Sequence, residues 1–149
     1  MGFAAGLGRR PETGVRIASL RGPDLELLWE RTDVPLRERT LWRLLHESGA
    51  GVRAVLALNV EDLDLDDRRA RSGAGWVNWR AGTARLLPEL LARRPRGPLF
   101  LADRRPGPGR MPAAADLCPE TGRGRLSYER AEYLFKQATG ATLRQLKAR

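Results

Sequence analysis

A leucine pattern in the first half of the chain gives its strongest helical signal. Leu41, Leu44 and Leu45 recur at positions i, i+3 and i+4, which places their side chains on one face of a helix. An amphipathic helix of this kind is stable when its apolar face packs against other elements. The pattern therefore predicts a helix over residues 35–48 that packs on an apolar core.

Capping residues indicate where the predicted helices begin and end. Asp33 is a suitable N-cap for the helix at 35–48, and Pro35 fits its first turn. Gly49 follows the last helical residues, where glycine supplies the left-handed conformation that often ends a helix. The same reasoning predicts N-caps for four further helices at Asp24, Thr83, Ser127 and Thr142.

The remaining helical segments differ in length and polarity. Residues 52–58 are nearly uncharged and predict a short buried helix. Residues 84–94 predict a longer helix that contains Pro88 in an early turn. Residues 128–138 predict another amphipathic helix, with Ala131, Leu134 and Phe135 facing inward.

Three short segments favour β-strands. Residues 69–72 and 75–80 flank Gly73-Ala74, and the short glycine-containing link predicts a hairpin. The alternation of apolar and acidic residues over 59–65 fits a helix end and the entry to a strand. Residues 98–102 form an apolar run that predicts a third, buried strand, and the Pro-, Gly- and Arg-rich residues 103–124 predict a long loop.

Together these elements predict one domain of the α+β class, mostly helical with a small three-stranded antiparallel sheet. The 149 residues suffice for one modest domain but not for two. Residues 1–21 are rich in Gly and Arg with weak periodicity, which predicts a flexible lead-in. Residues 22–149 are then the folded domain.

The charge of the chain favours an anionic partner. Residues 51–149 carry 19 basic and 11 acidic residues, whereas residues 1–50 are nearly neutral. All the basic residues except Lys136 and Lys147 are arginine, which suits bidentate recognition of phosphate but also follows from GC-rich codons. The excess predicts a nucleic-acid partner, or less often an anionic membrane surface.

Other classes of protein are excluded by composition. Cys118 is the single cysteine and His46 the single histidine, so no intramolecular disulfide, Cys-rich zinc site or two-His metal motif can form. No apolar run reaches the roughly 18 residues of a membrane span, and the N-terminus lacks the pattern of a signal peptide. We therefore expect a cytoplasmic protein without a metal, a small-molecule cofactor or a membrane partner.

A helix-turn-helix is one interpretation of residues 35–58. The predicted helix, Gly49-Ala50-Gly51 and the short helix after it have the required order. A recognition helix needs several polar side chains that face base edges, but residues 52–58 offer only Arg53. A small DNA-binding regulator of this kind remains the alternative function.

The order of segments along the chain carries a family resemblance. Helix 35–48 precedes the run Val-Leu-Ala-Leu-Asn-Val-Glu-Asp-Leu-Asp-Leu at 55–65, and the hairpin follows. Next come Gly-Thr-Ala-Arg-Leu-Leu-Pro at 82–88, Gly-Pro-Leu-Phe-Leu at 97–101, Leu-Ser-Tyr-Glu-Arg-Ala at 126–131 and Ala-Thr-Leu-Arg-Gln-Leu-Lys at 141–147. This series resembles the N-terminal half of the catalytic domain of tyrosine recombinases, the phage-type integrases, and covers residues 22–149.

The resemblance implies a protein of DNA integration and recombination whose catalytic boxes are degenerate. Family members cleave DNA through a tyrosine nucleophile and stabilise the transition state with two arginines. Here Gly51 stands at the first arginine position, while Arg144 and Lys147 stand where the second box has His and Arg. Tyr128 and Tyr133 precede that box, so neither corresponds to the nucleophile. We assign no catalytic residue and expect a truncated, inactive fragment.

The resemblance also implies consequences for stability and for DNA contact. Further helices of the family would cover Leu134, Phe135 and Leu143, so an uncovered apolar face and self-association are expected. A working DNA-binding fragment and a non-functional relic are the two alternatives that the resemblance leaves. We predict that eight basic residues contact the phosphate backbone of DNA; a merely solvated basic surface is the alternative interpretation of the same residues. They are Arg104, Arg105, Arg110, Arg123, Arg125, Arg144, Lys147 and Arg149.

Overall fold

The computed structural model describes residues 22–147, with side chains from Asp24 to Leu146; the predicted flexible lead-in, residues 1–21, lies outside the described residues. The described part is a mixed α+β fold in which helices surround a three-stranded antiparallel sheet, as the sequence predicts. Its elements are α1 Gly22–Trp29, α2 Leu36–Ser48, α3 Val52–Leu56, β1 Leu63–Asp64, β2 Arg69–Ser72, β3 Gly75–Asn78, α4 Ala81–Leu91, α5 Tyr128–Thr139 and α6 Leu143–Lys147, with 3-10 turns at Val60–Asp62 and Ala114–Asp116.

Helix α2 forms the centre of the described fold. Leu41, Leu44 and Leu45 are all buried, which confirms the predicted apolar face. Gly49 ends the helix with a φ of 68°, and its N–H donates to the Leu45 carbonyl at 3.1 Å, which confirms the predicted left-handed cap. Trp42 packs edge-on against Phe135 of α5, with ring centroids 5.0 Å apart. Helix α2 therefore joins the first half of the core to the last helices.

Two of the predicted N-caps are wrong at the start of the chain. Pro35, not Asp33, precedes the first residue of α2. Asp33 instead pairs with Arg31 at 2.7 Å, and this guanidinium holds the pKa of Asp33 below its ordinary value. Asp24 lies within the first turn of α1, because that helix begins at Gly22. The predicted cap at Ser127 is confirmed, since its hydroxyl accepts a hydrogen bond from the Arg130 N–H at 3.1 Å.

The N-terminus of α4 is capped from another helix. The helix begins at Ala81, so the prediction that Thr83 caps it is wrong, and Thr83 is buried in its first turn. Glu47 of α2 accepts hydrogen bonds from the backbone N–H groups of Arg80 at 2.8 Å and Thr83 at 3.2 Å, and from Arg43 Nε at 2.9 Å. Burial raises the pKa of the Glu47 carboxyl, but hydrogen bonds from Thr83, Arg80 and Arg43 outweigh burial and lower it. A buried carboxylate thus ties α2 to α4.

The sheet contains the predicted hairpin but a different third strand. Strands β2 and β3 pair antiparallel across Gly73-Ala74, and β3 ends at Asn78 rather than at residue 80. The third strand is β1, in which Leu63 faces Ala70 and Asp64 faces Arg69. Strand β1 lies in the segment of alternating apolar and acidic residues, 59–65, where the sequence predicts the entry to a strand. The prediction of a sheet strand over residues 98–102 is therefore wrong.

Residues 98–102 are nonetheless buried and hydrogen-bonded. The Leu99 N–H donates to the Leu58 carbonyl at 3.0 Å, and the Leu126 N–H donates to the Phe100 carbonyl at 2.9 Å. This segment therefore pairs with irregular backbone on both sides. Its apolar side chains favour burial, and burial alone does not specify a place in a sheet.

The last two helices close the core. Phe135 and Leu143 are fully buried and Leu134 is half-buried. The expected uncovered apolar face is therefore wrong at Phe135 and Leu143, because α6 folds back onto α2 and α5. Self-association stays a prediction without support from these positions. Among the described residues, no helix is both long and apolar enough to cross a membrane.

Candidate nucleic-acid interface

The structure places the described members of the predicted DNA-binding set in different surroundings. Arg104 and Arg110 are exposed and line one groove, whereas Arg123 lines another. Arg105 is exposed, with its Nε donating to the Thr121 carbonyl at 3.0 Å. Arg144 is exposed on α6 and lines neither groove, while the side chain of Lys147 and all of Arg149 lie outside the described residues. The six residues whose side chains the structure describes do not line one common groove.

Arg125 acts as a structural residue in this fold. Its side chain is 18% exposed, and its Nε donates to Asp116 Oδ1 at 2.9 Å. All five guanidinium N–H groups have acceptors; the other four are the carbonyls of Leu56, Leu58 and Ala115 and the Asn59 side-chain oxygen. Arg125 therefore holds the loop against the end of α3 and has no N–H left for a phosphate.

The groove that Arg104 and Arg110 line is the best-supported candidate site; we name it the Arg53–Tyr128 groove. It has a volume of about 660 Å³ and lies between α3, the long loop and the start of α5. The loop that supplies Arg104 and Arg110 is anchored by Arg125, as described above. The groove is lined by Arg53, Leu56, Ala57, Ala102, Arg104, Pro106, Arg110, Pro112, Asp116, Gly124, Arg125, Leu126, Ser127 and Tyr128.

An arginine–tyrosine stack forms one wall of this groove. The guanidinium carbon of Arg53 lies 4.4 Å from the ring centroid of Tyr128, which is the geometry of a cation–π contact. Arg53 is exposed at the start of α3, and Tyr128 is half-buried as the first residue of α5. Both side chains line the groove, so the contact holds the Arg53 guanidinium beside the Tyr128 ring there.

The balance of charge in this groove is strongly positive. Four arginines line it against one acidic residue, Asp116, which is paired with Arg125. Within the described part of the chain, Arg53, Arg104 and Arg110 have no acidic partner within ion-pair distance. Three guanidinium groups that line one groove attract an anion. Each of them is able to bind two oxygen atoms of one anion at the same time.

A second groove of about 550 Å³ is less suited to an anion. Four arginines line it against three acidic residues. Arg37 pairs with both Glu38 and Asp103, and Arg94 donates to the carbonyls of Pro98 and Leu99. Two of its four arginines are therefore paired or used within the fold, and three acidic side chains offset the rest of its charge.

A third basic feature lies on the hairpin. The guanidinium groups of Arg69 and Arg71 lie 4.1 Å and 4.8 Å from the Trp76 ring. Trp76 is 46% exposed, and both guanidinium groups lie over its ring. The hairpin is thus a further basic surface outside the two grooves described above.

The short helix α3 does not have the composition of a recognition helix. Val55 and Leu56 are buried, and α3 spans only five residues. Arg53 is its one exposed charged side chain, and that side chain lies on Tyr128. The helix-turn-helix arrangement of α2 and α3 therefore offers one side chain for base contacts where several are needed.

Cys118 lies in the long loop and is fully buried. Burial raises the pKa of its thiol, but hydrogen bonds from Thr121, Glu120 and Arg94 outweigh burial and lower it. Over residues 22–147 the structure holds no group of three His, Cys, Asp or Glu side chains that fits a metal ion. The described part of the chain thus offers a groove for an organic anion and no cluster for a metal.

Sequence reasoning missed the pairing of Arg53 with Tyr128. Arg53 stands out in the sequence as the one charged residue of a buried helix, and Tyr128 as the residue after a predicted N-cap. The two are 75 positions apart, so only the fold brings them together. The available signal was a polar or aromatic side chain at the start of each predicted helix.

Comparison with known proteins finds no relative of this chain: no protein-family model matches it, and neither the curated proteins nor the solved structures contain a match. The resemblance to tyrosine recombinases therefore remains a prediction from the sequence.

Proposed function

We propose that this chain is a tyrosine-recombinase-like DNA-binding protein that holds the phosphate backbone of DNA in the Arg53–Tyr128 groove. The observation that carries the proposal is the presence of three arginines, Arg53, Arg104 and Arg110, around one groove whose only acidic residue is already paired. Arginine binds phosphate oxygens bidentately, and such contacts hold DNA without reading its sequence.

The proposal does not include strand cleavage. At the positions that resemble the catalytic boxes, Gly51 and Arg144 replace an arginine and a histidine. Loss of one preorganised donor typically lowers the rate of such a reaction by about 10²–10³. A role in integration or recombination would then depend on binding DNA rather than on cutting it.

The test compares two charge-matched triple variants. Arg53→Gln, Arg104→Gln and Arg110→Gln together are expected to weaken binding to a 20-base-pair duplex at least about tenfold at low salt. The slope of log affinity against log salt should become shallower by about 0.9 for each phosphate that the variant no longer neutralises. Fluorescence anisotropy over a salt series measures both quantities.

The control triple removes the same charge elsewhere. Arg80, Arg85 and Arg96 are exposed and line neither groove, so their replacement by Gln should change the affinity less than about threefold. An equal loss in both triples would mean that binding is spread over the whole basic surface and would contradict the proposal. A salt-insensitive preference for one short operator would favour the helix-turn-helix regulator instead.

A further inference from the structure

The Arg53–Tyr128 groove has apolar as well as basic lining residues, and phosphate binding alone does not require the apolar ones. Leu56, Ala57, Pro106, Pro112 and Leu126 line it together with the arginines. Its volume of about 660 Å³ lies within the roughly 300–1,000 Å³ of sites that take small organic ligands. The groove therefore suits a ligand with both an apolar face and negative charge.

We propose that the ligand is an unpaired nucleotide within single-stranded DNA, with its base on the arginine–tyrosine stack and its phosphates against Arg104 and Arg110. This inference rests on the proposed function and specifies which form of DNA the groove prefers. In single-stranded recognition, unstacked bases lie on aromatic rings or on guanidinium planes, and a positive groove follows the backbone.

The stack provides the surface that an exposed base needs. The guanidinium carbon of Arg53 lies 4.4 Å from the centroid of the Tyr128 ring, so the ring supports the guanidinium on one side. The Arg53 side chain is exposed and lines the groove, so a base in the groove can reach it. Bases in a duplex have both faces covered by their neighbours and cannot stack on it.

The arginines of the groove provide binding groups for the phosphates of the nucleotide whose base is stacked. Arg104 and Arg110 come from the loop opposite α3 and have no acidic partner among the described residues. Asp116, the one acid of the lining, is held at 2.9 Å by Arg125 Nε and is therefore neutralised toward the ligand. A base over Arg53 thus has phosphate-binding groups beside it.

Three probes of equal strand length separate base stacking from phosphate binding. They are a dT12 oligonucleotide, a 12-residue abasic strand with the same backbone, and a 12-base-pair duplex. At one salt concentration dT12 is expected to bind at least tenfold more tightly than the abasic strand, and more tightly than the duplex. Equal affinities for dT12 and the abasic strand would overturn the inference.

Three variants test whether the Arg53–Tyr128 stack provides the preference for bases. Arg53→Lys keeps the charge but removes the planar group, so it should abolish most of the preference for dT12 over the abasic strand. Tyr128→Leu should do the same, whereas Tyr128→Phe keeps the ring and should keep the preference. An unchanged preference in Arg53→Lys, which alters an exposed side chain and leaves the fold intact, would overturn the inference.

The three probes also distinguish failure of the inference from failure of the proposed function. If the duplex and the abasic strand bind with the expected salt dependence but dT12 gains nothing, the preference for unpaired nucleotides is wrong and backbone binding stands. If none of the three probes binds, both proposals are wrong.

Discussion

Replacement of Arg125 by alanine is expected to lower the free energy of unfolding by about 3 kcal/mol, the scale of a buried hydrogen-bond network that loses its donor. The guanidinium serves five acceptors, among them the carbonyls of Leu56 and Leu58 and the side chain of Asn59. Without it, these groups lose their partners in a half-buried place. The melting temperature should fall by about 10 °C, which differential scanning calorimetry measures.

Matched variants distinguish this structural role from a role in DNA contact. Arg125→Lys supplies three donors instead of five and should recover about half of the lost stability. Arg85→Ala, at an exposed position, should change stability by less than about 0.5 kcal/mol. A stable Arg125→Ala protein that has lost DNA affinity would contradict the structural role and restore Arg125 as a phosphate contact.

Gly97→Ala is expected to destabilise the chain by about 2–3 kcal/mol through backbone strain. Gly97 has a φ of 101°, which L-residues rarely adopt, and an added Cβ would lie 3.2 Å from the Cα of Cys118. Its N–H donates to Glu61 Oε1 and its carbonyl accepts from the Val60 N–H. A shift of this residue therefore disturbs the 3-10 turn as well as the loop, and chemical denaturation should report the loss.

The control for Gly97 is a glycine without either constraint. Gly107 has no positive φ, and a Cβ there would meet nothing within 4 Å. Gly107→Ala should therefore be neutral or stabilise the chain by up to about 1 kcal/mol, because it restricts the unfolded state. Equal effects of the two substitutions would show that the conformation at Gly97 is not the constraint described.

Local signals in the sequence were enough to predict most of the helices and the hairpin. The leucine spacing of α2, the left-handed Gly49 and the Ser127 cap each depend on neighbours within four residues. Predictions failed where the partner is distant in the chain. Thr83 is not a cap because Glu47, 36 positions earlier, provides the acceptors for α4. Likewise, residues 98–102 have the composition of a strand, but they pair with loop backbone.

The sequence predicts the kind of partner, an anion, but not the position of its binding site in the fold. A count of arginines gives no indication of which guanidinium groups are used inside the fold. Arg104 and Arg125 both lie between α4 and α5. Arg125 has five protein acceptors, whereas Arg104 has no acidic partner among the described residues. Arg53 and Tyr128 belong to separate helices and become a stack only through tertiary packing.

The central claim is that DNA binds in the Arg53–Tyr128 groove, and NMR titration of the isotope-labelled chain tests it most directly. At 16.6 kDa the chain is small enough for assigned backbone amide and arginine side-chain spectra. Addition of dT12 and of duplex DNA should give the largest shift changes at Arg53, Arg104, Arg110 and Tyr128. Largest changes at the Trp76 indole and Arg71 on the hairpin, or at Arg144 on α6, with the groove unperturbed, would contradict the claim.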